Sequence, residues 1–94
     1  MDIIDAFAVA LKQARTARRL TQEDFSNVSS RTYVSSLERG LKNPTLDKIN
    51  DLAGVFGLHP LTLLIIAYMI ERNNEDSAEL LSVVLKELNQ MAHL

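Results

Sequence analysis

Apolar residues recur along the chain at the three- and four-residue steps that are typical of amphipathic α-helices. The clearest stripe runs from Leu46 to Phe56, while the strict alternation of β-strands is scarce. The pattern therefore predicts an all-α protein. The predicted helices cover residues 2–19, 22–27, 31–39, 46–56, 60–72 and 77–92.

Capping residues and turn formers mark the predicted helix ends. Thr21 followed three positions later by Asp24 resembles a capping box with the shorter acid. The other boundary residues are N-caps, left-handed stops and a first-turn proline, namely Ser30, Thr45, Gly40, Gly57 and Pro60.

The composition is that of an ordinary globular domain, with 47% apolar and 23% charged residues. The chain has no cysteine, which excludes disulfides and thiolate metal sites and favours the cytoplasm. The longest apolar run, Leu61–Ile70, is too short to span a bilayer, and the first residues carry no basic segment of a secretion signal. We expect no membrane partner and no cofactor or metal, and no catalytic grouping indicates an enzyme.

Charge is distributed unevenly along the chain. The net charge is −2, but residues 12–42 carry +4 and the remaining residues carry −6. A phosphate backbone responds to the local field rather than to the total charge. The alternative is that these charges belong to solvated helix faces, and charge alone favours this alternative.

The stretch Thr21–Gly40, TQEDFSNVSSRTYVSSLERG, resembles the helix-turn-helix of phage repressors and Xre-type bacterial regulators. The resemblance covers residues 7–64, and four pieces in order carry it: LTQE at 20–23, SRTYVS at 30–35, LERG at 37–40 and NPTL at 43–46. It implies a lambda-repressor-like five-helix domain (residues 1–72) with an additional C-terminal helix (residues 73–94), and double-stranded DNA as the partner.

The helix 31–39 is the expected recognition helix, because a major groove about 12 Å wide accepts one α-helix. Val34 and Leu37 are expected to face inward. The residues expected to face outward and to contact bases are Arg31, Thr32, Ser35 and Ser36. The expected phosphate contacts are Gln22, Ser30, Tyr33, Arg39, Lys42 and Asn43. The resemblance further implies a structural ion pair between Arg15 and Glu38.

The chain departs from the family pattern between Phe25 and Ser30. Phe25 stands where the family has a leucine, and two positions fewer than usual separate it from the capping serine, Ser30. The glycine that the family has in this turn is missing. We expect Val28 to be the buried residue of this shortened turn. The spacing from Ser30 onward is unchanged, so the motif is retained.

The second half of the chain carries more apolar surface than a small monomer can cover. We predict a homodimer that places two recognition helices about 34 Å apart on a palindromic operator. The expected interface residues are Leu64, Tyr68, Leu81, Val84, Leu85, Leu88 and Met91. The alternative is that the last helix folds back on the helix 60–72 and closes a monomeric core.

Two functions from different classes fit the sequence. The first is a sequence-specific transcription regulator, such as a repressor, which acts without a small-molecule effector because no sensing domain is evident. The second is a protein-interaction module or antitoxin that keeps the fold with weak or no DNA binding. Net acidity, the shortened turn and the apolar second half favour the second.

Overall fold

The structure, a computed structural model, describes residues 1–92. These residues form five α-helices and one short 3₁₀ helix, with no β-strand among them. The helices are α1 (Ile3–Ala17), the 3₁₀ helix (Gln22–Phe25), α2 (Arg31–Glu38), α3 (Leu46–Phe56), α4 (Pro60–Glu71) and α5 (Ser77–Gln90). The predicted all-α fold with an extra C-terminal helix is confirmed. Residues 93 and 94 of the predicted C-terminal segment lie outside the described part.

The helices α1 and α4 pack against each other more extensively than any other pair. Ala6 and Ala10 of α1 and Ala67 of α4 are fully buried, and such small side chains let two helix backbones approach closely. Because α4 is apolar on nearly all sides, it also packs against α3. The two α4 contacts place this helix at the centre of the fold.

One hydrophobic core contains side chains from α1, α2, α3, α4 and the 3₁₀ helix. Phe25 of the 3₁₀ helix and Phe56 of α3 meet edge to face, with ring centroids 5.3 Å apart and ring planes at 71°. Besides Phe25, the large side chains with less than 2% exposure are Leu11, Leu37, Leu52, Leu63 and Val34. Residues 3–71, which contain all of this core, are called the body below.

The predicted caps are present at the described helix ends. The Ser30 hydroxyl accepts a hydrogen bond from the Tyr33 backbone N–H at 3.1 Å, and the Thr45 hydroxyl accepts one from the Lys48 N–H at the same distance. The Asp24 carboxylate accepts from the Thr21 N–H at 2.6 Å. Each bond satisfies a backbone donor at a helix start, where the helix itself offers no acceptor.

Gly40 ends α2 and brings it close to α1. Its φ of +71° lies in the left-handed region, which is strained for other residues. The Leu41 N–H then donates to the Ser36 carbonyl at 3.0 Å, as in a Schellman motif. A Cβ at position 40 would lie 2.7 Å from Asp5 Oδ1. The backbone conformation therefore favours glycine, and a side chain at this position would also displace the Asp5 carboxylate.

Two local expectations were wrong. The predicted helix over residues 22–27 is a 3₁₀ helix that ends at Phe25, because the short connection to Ser30 leaves no room for a second α-turn. Leu46, expected on the buried stripe of α3, is 81% exposed. It is the first residue of α3, and the helix turns its buried face to the core only from Ile49 onward.

The last helix, α5, is separated from α4 by Asn73 and Asn74, both in the left-handed conformation that asparagine tolerates. It contacts α4 near its start. Across the described residues of α5 only Leu80 is buried, and every residue from Leu81 to Gln90 is exposed. Residues 81–90, called the arm below, therefore do not close the core, so the fold-back alternative does not describe this protomer.

Apolar length alone does not mark a membrane segment here. No single helix within residues 1–92 is long and apolar enough to cross a bilayer. The helices α3 and α4 reach the required length only together, and they are bent by 104° at their junction. Of their apolar side chains, Ile49, Leu52 and Leu63 belong to the core.

Candidate nucleic-acid interface

Two buried residues anchor α2, and its first turn is left facing solvent. Val34 and Leu37 are 0% and 1% exposed, as the sequence predicts. Arg31 and Thr32, the first two residues of α2, are exposed, and Ser35 is half-buried. The free backbone N–H groups of the first turn point the same way along the helix axis. This end of α2 therefore presents donors to whatever approaches it.

Ser36 is not part of this outer surface. Its side chain is buried, with 8% exposure, and its hydroxyl donates to the Thr32 carbonyl at 2.9 Å. The helix α2 packs against both α1 and the 3₁₀ helix, so its exposed arc is narrower than that of a helix with one neighbour. The expectation that Ser36 faces outward was wrong for this reason.

Five of the predicted contact residues come together around one shallow pocket. Its lining residues are Gln22, Arg31, Thr32, Ser35 and Arg39. Gln22 is half-buried at the start of the 3₁₀ helix, and its Nε2 lies 3.3 Å from Glu38 Oε1. A side-chain amide nitrogen carries two hydrogens, so this bond leaves one for a ligand. The pocket thus joins residues from both halves of the motif.

The ion pair expected between Arg15 and Glu38 is present and lies beneath this surface. Arg15 Nε and Nη2 donate to the two Glu38 carboxylate oxygens at 2.7 and 3.0 Å, and Nη1 donates to the Leu20 carbonyl at 3.0 Å. Their side chains are only 15% and 4% exposed. The hydrogen bond to Glu38 raises the pKa of Arg15 despite the opposing effect of desolvation, and the Glu38 charge adds to the rise. The pair ties α1, the 3₁₀ segment and α2 together.

The exposed Arg31 guanidinium has an acidic neighbour. Its Nη1 lies 3.3 Å from Glu23 Oε1, and the two side chains are 69% and 72% exposed. An ion pair between two solvated side chains contributes at most about 1 kcal/mol. Arg31 can therefore leave Glu23 for a stronger acceptor at small cost.

The family comparison agrees with this geometry. A family model described as Helix-turn-helix matches residues 11–63, more than half of the chain, from α1 to the first turn of α4. The chain belongs to the Xre/Cro-like helix-turn-helix family. It is a helix-turn-helix DNA-binding regulator. No curated protein and no solved structure matches the chain significantly.

The shortened turn of this helix-turn-helix is closed by tight backbone bonds. The N–H groups of Val28 and Ser29 both donate to the Phe25 carbonyl at 2.9 Å. Val28 is half-buried and packs against the core, as predicted for the residue that replaces the missing part of the turn. The first helix of the motif is thus a short 3₁₀ helix, while α2 keeps its cap and its buried face.

One cation of the helix-turn-helix surface was not predicted. Lys48, in the first turn of α3, donates to the Val28 carbonyl at 2.6 Å and lies 5.5 Å from the centre of the Tyr33 ring. Lys42 lies 5.7 Å from the same ring centre. Two cations thus flank one aromatic ring beside the recognition helix. The sequence signal was weak, since a lysine in a first helical turn is usually only a solvated residue.

The remaining predicted residues of the helix-turn-helix lie at its margins. Arg39 is the exposed C-cap of α2, and Asn43 is exposed in the following loop. The Ser30 oxygen accepts from the Tyr33 N–H, which leaves the hydroxyl hydrogen for another acceptor. Ser30 adjoins the first turn of α2, whereas Arg39 and Asn43 follow its last turn.

Proposed function

We propose that this protein is a sequence-specific regulator that inserts α2 into the major groove of double-stranded DNA and acts as a homodimer on a palindromic operator. The observation that carries the proposal is the exposed first turn of α2, where Arg31 and Thr32 share one pocket with Gln22, Ser35 and Arg39. Base reading by a recognition helix relies on such first-turn side chains.

Two side chains supply the base contacts in this proposal, and a third lies next to them. Arg31 donates two hydrogen bonds to O6 and N7 of a guanine, the commonest specific contact in the major groove. Thr32 offers its hydroxyl to a base edge or its methyl group to thymine. Ser35 lies at the next turn and is half-buried. Its hydroxyl therefore reaches only a base on the floor of the groove, directly beneath α2.

Phosphate contacts surround these base contacts. Lys42 and Arg39 contribute charge, and Gln22 donates its second amide hydrogen. The other proposed phosphate donors are the hydroxyls of Ser30 and Tyr33 and the amide of Asn43. The local charge of +4 over residues 12–42 supports this assignment, whereas the acidic remainder of the chain limits non-specific binding.

The exposed apolar residues of the second half support the homodimer. Tyr68 on α4 is 46% exposed, and Leu85 and Leu88 on α5 are 58% and 60% exposed. The other arm and arm-end residues proposed for the interface, Leu81, Val84 and Met91, are exposed as well. Leu64 is half-buried at the edge of the core. A contiguous exposed apolar surface on a small protein is typical of an interaction site.

In-vitro selection of DNA from a random pool tests the proposal. The selected sequences are expected to be palindromes whose affinity falls steeply with salt, because binding releases counterions from the phosphates. Arg31→Ala is expected to lose about 1–3 kcal/mol of binding free energy and to relax one base position. Lys42→Ala is expected to weaken binding to all sequences and to lower the salt slope by about one unit.

Arg72→Ala is the matched control, since Arg72 is also a partly exposed arginine paired with a glutamate, Glu75, but stands at the end of α4. It is expected to bind the operator like the unmodified protein. An equal loss in both arginine variants would contradict base reading by Arg31. A pool that yields no enriched sequence even at low salt would favour the interaction module or antitoxin, for which the exposed arm is the supporting observation.

A further inference from the structure

A second apolar surface remains open in the protomer, apart from the arm. A shallow groove of about 370 Å3 lies between the start of α3 and the start of α4. Leu46 and Leu61 line it and are 81% and 58% exposed, and Ile49 and Leu64 form its deeper side. Two leucines this exposed at one groove indicate a surface that is covered in the working form of the protein.

The arm carries a matching face. Leu81 and Leu85 lie on one side of α5, together with the small residues Ala78 and Ser82, and Lys86 borders them. The arm is the part of α5 that follows Leu80, residues 81–90, and as an α-helix it is about 15 Å long. An exposed helix of this length can reach beyond its own body.

Charge distinguishes the two surfaces. Asp47 borders the groove beside Leu46, whereas Lys86 borders the arm face beside Leu85. Pairing two arms with each other would leave both grooves open. Docking an arm into a groove covers both apolar surfaces and places an acid beside a base. A two-fold axis would form this contact twice, once in each direction.

We propose that the arm of each protomer docks into the α3–α4 groove of a second copy of this chain, with Leu85 in the groove and Lys86 beside Asp47. The proposal rests on the homodimer of the proposed function and specifies how its two protomers engage. The loop that carries Lys42 and Asn43 leads directly into α3, whose start forms one side of the groove. The exchanged arms would therefore also set the separation of the two recognition helices.

A charge exchange tests this arrangement. Asp47→Lys and Lys86→Asp are each expected to weaken dimerisation about tenfold, because each places like charges together at both contacts. The double variant is expected to return to within about threefold of the unmodified dimer. Dimer dissociation constants are measured by sedimentation, and circular dichroism verifies the fold. Glu87→Lys is the control, since Glu87 is the neighbour of Lys86 but does not line the arm face.

An apolar pair makes the test independent of charge. Leu85→Ser and Leu46→Ser are expected to weaken the dimer at least tenfold, and both residues are exposed in the protomer, so its fold is retained. Val83→Ser is the control, because Val83 is 46% exposed on another side of α5. Its dimer is expected to match the unmodified one.

Two results would overturn the proposal, and each leaves a different part of the function intact. A dimer unaffected by Asp47→Lys, or a double variant as weak as the single ones, contradicts arm exchange while the homodimer stands. A chain that stays monomeric at high micromolar concentration contradicts the homodimer as well. Binding of a half-site duplex is measured separately and reports on DNA recognition by α2 whatever the oligomeric state.

Discussion

The body and the arm carry similar apolar stripes, yet the body covers most of its own and the arm covers none of its own. Leu11 and Leu37 in the body are 0% and 1% exposed, whereas Leu85 and Leu88 in the arm are 58% and 60% exposed. Each of the four has apolar neighbours three or four positions away in the sequence, as in an amphipathic helix. The comparison shows that periodicity identifies which side chains need burial, but not whether the same chain provides it.

The two regions also differ in how their polar groups are used. In the body, Arg15 and Glu38 are nearly buried and join three segments through paired hydrogen bonds. The polar residues of the arm, such as Lys86, Asn89 and Gln90, are exposed on the same helix as its leucines. Polar interactions inside the body therefore hold the candidate binding surface in shape, while the polar groups of the arm face solvent.

The largest expected difference between the regions comes from removing one large side chain from each. Phe25→Ala is expected to lower the free energy of unfolding by about 3–5 kcal/mol, because the ring is fully buried against Phe56. Leu88→Ala is expected to change it by less than about 0.5 kcal/mol at protein concentrations too low for dimers. Urea unfolding followed by circular dichroism measures both. A similar loss in the two variants would show that the arm belongs to the core of the protomer.

Breaking the buried ion pair is expected to have the next largest effect. Arg15→Met leaves the Glu38 carboxylate buried without its partner, and we expect a loss of about 2–3 kcal/mol in the free energy of unfolding. Arg31→Met is the control, because its ion pair with Glu23 is exposed on both sides, at 69% and 72%, and contributes about 0.5 kcal/mol or less. Equal losses would mean that burial does not distinguish the two pairs.

The pH dependence of this contribution follows from the direction of the pKa shift. The pKa of Arg15 is raised in the folded protein, so its stabilising contribution is complete below the pKa of the unfolded state and is lost only as pH rises through the folded value. The difference in unfolding free energy between the Arg15→Met variant and the unmodified protein should therefore show no dependence on arginine titration between about pH 6 and 9.

The smallest expected effect concerns two glycines of the body. Gly40→Ala is expected to cost about 1–2 kcal/mol, because φ is +71° and the new Cβ would meet the Asp5 carboxylate. Gly54→Ala is expected to stabilise by about 0.5–1 kcal/mol, since Gly54 lies within α3 and a Cβ there meets nothing within 4 Å. Thermal unfolding compares the two. A stabilised Gly40→Ala variant would contradict the close approach of α1 and α2.

Local signals in the sequence were sufficient for most helix ends and for the anchor of the recognition helix. Ser30, Thr45 and Gly57 cap helices where their side chains or backbone freedom predicted, because capping depends on neighbours within a few residues. The inward placement of Val34 and Leu37 follows from helical spacing alone. Arg15 and Glu38 are distant in sequence, and their ion pair was predicted from the family resemblance instead.

Contacts between distant segments decided the rest. Ser36 is buried because α1 and the 3₁₀ helix both flank α2, and Lys48 joins the surface because α3 brings it to the Val28 carbonyl and the Tyr33 ring. The side chains next to a helix in sequence do not specify how many neighbours it has in space. Residue order and spacing thus suffice for the helices and their buried stripes, whereas the width of the exposed arc on α2 and the exposure of the arm arise only when the helices pack.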